Sequence, residues 1–231
     1  MHKVLINKYC SMLFIVFLMS NGFAMDKATL QRGARFYMNY CFGCHSLKYM
    51  RNQTMMEALG FTNKAYSLEE KKQLAADMLL DGPKEASLLT SLPLKQAVAW
   101  FGVAPPDLSL VARSRGRVWL NNFLHGYYKD SKKPFGANNL IFPDVAMPDV
   151  LFPLRGEFVL DNAHKLRLVK KGAMEESEFN QYVNDLVEFL VYVAEPTRSL
   201  RYKVGFFVII LVLVLLILVR KLQNIVNKKY K

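Results

Sequence analysis

Residues 29–45 read TLQRGARFYMNYCFGCH, and the rest of the chain is best understood outward from them. Leu30, Gly33, Ala34, Tyr37 and Met38 recur near 3.6-residue spacing, which predicts a helix over residues 29–41. That helix runs straight into Cys41-Phe42-Gly43-Cys44-His45, a CxxCH motif. Two thiols at this spacing can add across the two vinyl groups of haem, and the adjacent imidazole can take the iron as proximal ligand. A redox dithiol would call for a βαβ setting, which the pattern lacks. A zinc site would call for a second ligand pair, and no cysteine follows Cys44.

The chain has 231 residues, is 52% hydrophobic and holds three cysteines. This excludes a disordered chain and a disulfide-stapled scaffold. The net charge of +12 raises nucleic-acid binding, so its location matters. Lys3 and Lys8 precede an apolar stretch from Met12 to Met19, and Gly22-Phe23-Ala24 offers small residues before a cut after Ala24. Residues 1–24 therefore read as a secretory signal peptide rather than a short membrane span, and Cys10 would leave with it. Near the other end, Val204 to Val219 carries no charge. At ~1.5 Å per residue this run spans about 24 Å, and Tyr202, Lys203, Arg220, Lys221 and Leu222 extend it into a transmembrane anchor. Two bases lie in 1–24 and eight from Arg198 onward, with no acid in either stretch, so +2 remains for residues 25–197. The charge thus reports topology and predicts no nucleic-acid partner. Five bases beyond the apolar run predict a cytoplasmic C-terminus. The expected organisation is a signal peptide (1–24), an exported haem-binding domain (25–197), and an anchor in the lipid bilayer with a short basic tail (198–231).

Within 25–197, Ser67 and Glu70 form a capping box that opens a helix through Leu80, stopped by Asp81-Gly82-Pro83. Asp107, after Pro105-Pro106, is a candidate N-cap for a short helix toward Arg113. A helix is predicted over Arg117–Tyr128, irregular loop over 129–158, and a strong amphipathic helix over Ser177–Glu195, ended by Pro196. No alternating strand stands out, so the fold class is mainly α with extended loops. For a sixth iron ligand the residues alone leave Met147 and His125 in front. Met147 sits in Pro143-Asp144-Val145-Ala146-Met147-Pro148, where prolines stiffen the loop. Arg113-Ser114-Arg115 is the candidate cationic pair for the haem propionates, although by spacing alone each arginine reads first as a solvated surface charge. No general acid, base or nucleophile is called for.

Five stretches resemble the cytochrome c1 family, the membrane-anchored haem subunits of bacterial and mitochondrial quinol–cytochrome c oxidoreductase (cytochrome bc1) complexes. They are QRGARFYMNYCFGCHSLKYMR (31–51), APPDLSLVARSRG (104–116), FLHGYY (123–128), FPDVAMP (142–148) and EFLVYVAEPTRSLRYKVG (188–205), in the family's order. The resemblance implies a monohaem cytochrome c fold plus one C-terminal transmembrane helix, in a bacterial form. It implies that Cys41 and Cys44 bind haem c covalently, that His45 and Met147 are the axial ligands, and that Arg115, with Arg113 beside it, meets a propionate. It further implies that residues 29–41 cross 177–195, with Gly33, Tyr37, Phe189 and Leu190 at the crossing. Where the family often has Asp-Tyr this chain has Val118-Trp119, and the acidic stretch of mitochondrial members is not evident.

The implied role is electron transfer inside a respiratory-chain complex of the bacterial inner membrane, with the haem domain in the periplasm. An electron would come from a Rieske iron–sulfur protein, beside cytochrome b, and go to a cytochrome c. The alternative within the same chemistry is a stand-alone anchored cytochrome c serving an oxidase. A haem-based sensor with an open sixth position is a reading from another class.

Overall fold

A computed structural model of the chain describes residues 26–230 apart from 64, 65, 79 and 81. The signal-peptide assignment for 1–24 lies outside the described residues. The described chain divides into two compact units, 26–195 and the C-terminal segment from 196.

The first unit is organised by two helices. Helix α1 spans Lys27–Tyr40, and its N-cap Asp26 accepts from the Thr29 amide at 3.2 Å. Leu30, Gly33, Ala34 and Tyr37 form its buried stripe, as the helical spacing requires. The segment after the haem motif forms strand β1 (Leu47–Arg51), which leads into the short helix α2 (Asn52–Ala58). Helix α3 (Leu68–Asp77) opens on the predicted capping box, with both of its hydrogen bonds formed. Strand β2 (Ser87–Leu88) pairs antiparallel with β1, and helix α4 (Leu94–Phe101) ends on Gly102 at φ 75°, a left-handed C-cap. Helices α5 (Val111–Ser114) and α6 (Arg117–His125) follow, then the β3–β4 pair (Tyr127–Lys129 and Ala137–Asn139). A short helix α7 (Phe152–Arg155) leads into the β5–β6 hairpin (Gly156–Leu160 and Leu166–Lys171). The unit closes with α8 (Glu176–Ala194).

Helices α1 and α8 cross at Gly33. A Cβ there would stand 2.1 Å from the Asp185 carbonyl oxygen and 2.7 Å from Phe189 Cβ, so only glycine permits this approach. Around the crossing, the Tyr37 and Phe189 rings lie 5.6 Å apart and Phe36 stacks with Tyr182 at 5.6 Å. Leu190 is buried in the same core. Arg32 Nε donates to Asp185 Oδ2 at 2.6 Å on the rim. The expected crossing residues are therefore those that meet or flank it.

The mainly α reading holds, with three differences. Three two-stranded antiparallel sheets occur among the described residues where no strand was expected. They escape pattern reading because they are short and their burial does not alternate: β1 buries Leu47 and Met50, β4 buries the adjacent Asn138 and Asn139, and β6 has no buried residue. The predicted 117–128 helix stops at His125, because Gly126 lies under the Asn139 side chain and the chain turns into β3. Asp107 caps no helix. Its carboxylate accepts from the amides of Lys48 at 2.9 Å and Ser109 at 3.0 Å, tying the turn to β1.

In the second unit, helix α9 runs from Arg198 to Lys229. It is the one helix among the described residues long and apolar enough to cross a membrane, and its apolar side chains are exposed. At ~1.5 Å per residue its 32 residues extend about 48 Å, which covers a ~30 Å hydrocarbon layer and both headgroup zones.

Candidate functional site

The end of α1 delivers the CxxCH motif. The helix closes at Cys41, whose amide donates to Tyr37 O, and one further turn is formed by the Cys44 and His45 amides donating to Cys41 O at 3.1 and 2.9 Å. Cys41 and Cys44 are free thiols on this single turn. Burial pushes the Cys41 thiol up to about 12, with the neighbouring Cys44 adding to the shift.

His45 is buried, and two side-chain hydrogen bonds fix it. Its Nδ1 donates to the Pro106 carbonyl at 2.8 Å, which sets the tautomer and leaves Nε2 with a lone pair. Its own carbonyl accepts from the Tyr37 hydroxyl at 2.6 Å. Burial lowers the imidazole pKa, partly opposed by the Pro106 hydrogen bond, and this favours the neutral, ligating form. Pro106 reaches His45 because the PPDLS segment is laced along residues 46–49. Leu108 N donates to Ser46 O at 2.9 Å, Tyr49 N to Ser109 Oγ at 3.1 Å, and Lys48 N to Asp107. A second strap comes from Thr90, whose hydroxyl donates to Gly43 O at 2.7 Å and whose amide donates to Ser46 Oγ at 3.0 Å. Neither Thr90 nor the bracing role of Asp107 was anticipated. The Pro-Pro-Asp turn was visible, but which backbone it would bind was not.

Met147 lies half-buried on the segment between β4 and α7. Two polar clamps shape that segment. At its entry, Asn139 Oδ1 accepts from the amides of Ile141 at 2.8 Å and Phe142 at 3.2 Å, while Nδ2 donates to Phe123 O at 2.8 Å. Asn138 Oδ1 accepts from the Asp144 amide at 2.9 Å, and Asp144 sits at φ 61°. At its exit, the buried Arg155 guanidinium holds Asp149 Oδ2 at 2.9 Å. A cavity of about 440 Å³ opens beside the loop, lined by Trp100, Phe101, Phe135, Val145 and Ala146 among others.

His125 offers no free nitrogen: Nδ1 bonds Asn121 O and Nε2 bonds Asn180 Oδ1, both at 2.8 Å. His164 is exposed at φ 57° in the β5–β6 turn. Arg113 and Arg115 are both exposed, and the Arg115 guanidinium lies over the Trp119 ring at 5.0 Å. The structure thus brings Cys41, Cys44 and His45 onto one turn. Among the described residues no hydrogen bond joins Met147, Arg113 or Arg115 to that turn.

The donor set suits a covalently held haem. Two free thiols on one turn match two vinyl groups, and a neutral imidazole with a pinned Nδ1 presents Nε2 for iron. Among the described residues no group of three or more His, Cys, Asp or Glu could hold a separate metal ion.

A family model described as Cytochrome C1 family matches residues 19–230. A cytochrome c1 from Allochromatium vinosum is 37% identical over 211 residues, covering 86% of this chain and 83% of that protein. A protein named ammonia monooxygenase gamma subunit, from Nitrosomonas europaea, is 38% identical over 188 residues, covering 80% of this chain and 76% of the other. A mitochondrial cytochrome c1 heme protein from Schizosaccharomyces pombe is 30% identical over 213 residues, covering 82% of this chain and 63% of the other.

Proposed function

The chain belongs to the cytochrome c1 family, whose members carry one covalent c-type haem and transfer electrons in bc1-type complexes, and on that premise we propose how it works. It accepts one electron from a Rieske iron–sulfur protein and passes it to a cytochrome c, beside cytochrome b in a bacterial quinol–cytochrome c reductase. It is an electron-transfer subunit; quinol oxidation belongs to the complex. When bound, haem supplies the one-electron iron couple.

The residues of this chain hold and tune it. Cys41 and Cys44 would hold haem through thioether bonds, with His45 Nε2 as the proximal ligand to its iron and the Met147 sulfur as the sixth. Thioether ligation favours the ferrous state and raises the potential. Arg115 and Arg113 would serve the propionates, Arg115 ahead of Arg113 because it matches the propionate-binding arginine of the family. Residues 1–24 export the 25–197 domain to the periplasm, and 198–231 hold it in the inner membrane with a cytoplasmic C-terminus.

The observation that carries this reading is His45, buried, with Nδ1 tied to Pro106 beside two free thiols on the same turn. The test is a mild-detergent isolation followed by reduction with a quinol. Quinol-driven reduction of a c-type haem in a particle that also holds cytochrome b and a Rieske protein is expected. Isolation without either would overturn the complex-subunit reading in favour of a stand-alone anchored cytochrome. The name of the Nitrosomonas relative supplies a second reading, a monooxygenase-associated haem subunit, which copurification with monooxygenase subunits would favour. Replacing Cys41 or Cys44 by Ser should abolish normal haem retention on a denaturing gel.

A further inference from the structure

We infer that Arg155 is a positioning residue for Met147, acting through Asp149; the inference rests on Met147 being the sixth ligand. The exit of the Met147 loop has no helix or strand to hold it: residues 140–150 hold neither. What holds it is one guanidinium. Arg155 Nη1 donates to His125 O at 2.8 Å, Nη2 donates to Tyr127 O, and Nη2 reaches Asp149 Oδ2 at 2.9 Å. Its face covers the Phe158 ring at 4.9 Å.

These contacts join three parts of the fold. His125 closes α6, Tyr127 opens β3, and Phe158 lies in β5, so the guanidinium is anchored to framework on three sides. Its fourth contact, Asp149, is the only one on the loop, two residues past Met147. Asp149 Oδ1 also accepts from the Leu151 amide at 3.2 Å, fixing the turn between the loop and α7. The side chains of Arg155 and Asp149 are only 4% and 10% exposed. Removing one partner of such a pair leaves a buried charge unmet, which strains the pair's surroundings far more than losing a surface ion pair. Lys cannot substitute fully, because three acceptors in different directions need the planar fork. A thioether is a weak ligand, so its retention depends on how closely the loop holds sulfur in place.

The test uses the full chain with attached haem, in membranes or detergent. Met147→Leu, Asp149→Asn, Arg155→Lys and Arg155→Leu are each assayed for haem on a denaturing gel. They are then assayed for the red charge-transfer band of methionine-ligated ferric haem, midpoint potential, CO binding, and amide exchange over 144–150. With haem still attached, Asp149→Asn and Arg155→Leu should lose most of the band, lower the potential and admit CO. Loop exchange should rise about a hundredfold, and Arg155→Lys should fall between. If Arg155→Leu fails to fold, Asp149→Asn and Arg155→Lys decide. If Met147→Leu abolishes the band while Asp149→Asn and Arg155→Lys leave band, potential and exchange unchanged, the inference is overturned alone. If Met147→Leu keeps the band, the ligand assignment falls and the inference with it.

Discussion

Helix α1, which ends at the CxxCH turn, is placed by its close contact with α8 at Gly33. At the Met147 loop the backbone is placed by the side chains of Asn138, Asn139 and Arg155. The first arrangement is apolar and repetitive. It depends on the close approach of α1 and α8 and on rings such as Tyr37 and Phe189 at 5.6 Å. The second depends on a few directional contacts, each with its own acceptor. A helix pair tolerates many side-chain exchanges so long as its contact stripe survives. A polar clamp tolerates few, because an unmet buried donor or acceptor costs about 1–3 kcal/mol. The two regions should therefore fail differently, and the variants below test that.

The largest effect is expected at Gly33. In Gly33→Ala the new methyl would meet a backbone carbonyl at 2.1 Å, which no rotamer change relieves. We expect a loss of about 3 kcal/mol, the upper end of overpacking, and a thermal midpoint lower by about 10 °C. An unchanged midpoint would show that α1 and α8 can slide apart freely and that the helical side is not the stiff one.

Asn139→Ala comes next. Asn139 is 1% exposed and bridges Phe123 to the start of the loop. Its loss should destabilise by about 2 kcal/mol, and amide exchange should speed up at 141 and 142 while the α1–α8 amides stay protected. Uniform acceleration across both regions would erase the distinction between them.

The same contrast governs what could be read from the sequence. The α1–α8 side was legible because apolar periodicity and a CxxCH motif are local signals, and a glycine on a buried stripe points to close approach. Met147 was singled out by its flanking prolines and its family setting, and its ligand role stands as a proposal. The clamps were not. Asn139 lies in a stretch whose Asn, Pro and Gly content reads as generic loop, and nothing local says which amide will be buried. Arg155 and Asp149 pair six residues apart, with Arg155 at the end of the short helix α7, a register that only the folded chain supplies. The three sheets were missed for a related reason: their strands are short and their burial does not alternate, so they show no period-2 pattern.

Asp185→Asn should have a smaller effect. Asp185 is buried beside the crossing, but its partner Arg32 has a side chain 41% exposed, so water screens much of the pairing. A loss of about 1 kcal/mol is expected, shrinking with added salt. A loss as large as that of Gly33→Ala would mean the crossing depends on charge rather than on close apolar contact.

The smallest effect at neutral pH belongs to Tyr127→Phe, which becomes most discriminating at high pH when set beside Tyr37→Phe, the other buried phenol. Burial raises the pKa of both Tyr37, on the helical side, and Tyr127, beside the loop clamp, where Asp149 adds to the shift and Arg155 opposes it. Below pH 10 both states keep the proton, and the stability is fully present. Above it the unfolded chain releases the proton that the folded chain retains, so stability falls with pH by about 1.4 kcal/mol per unit for each phenol. At neutral pH the two differ. Tyr37→Phe loses the bond to His45 O, whereas the Tyr127 hydroxyl has no partner among the described residues, so Tyr127→Phe should be nearly neutral. At pH 11 each variant should flatten the alkaline decline, and amide exchange tells which region gains. Protection of 137–150 in Tyr127→Phe with α1 unchanged would show that the loop yields before the helices. Protection rising first in α1 would reverse that order.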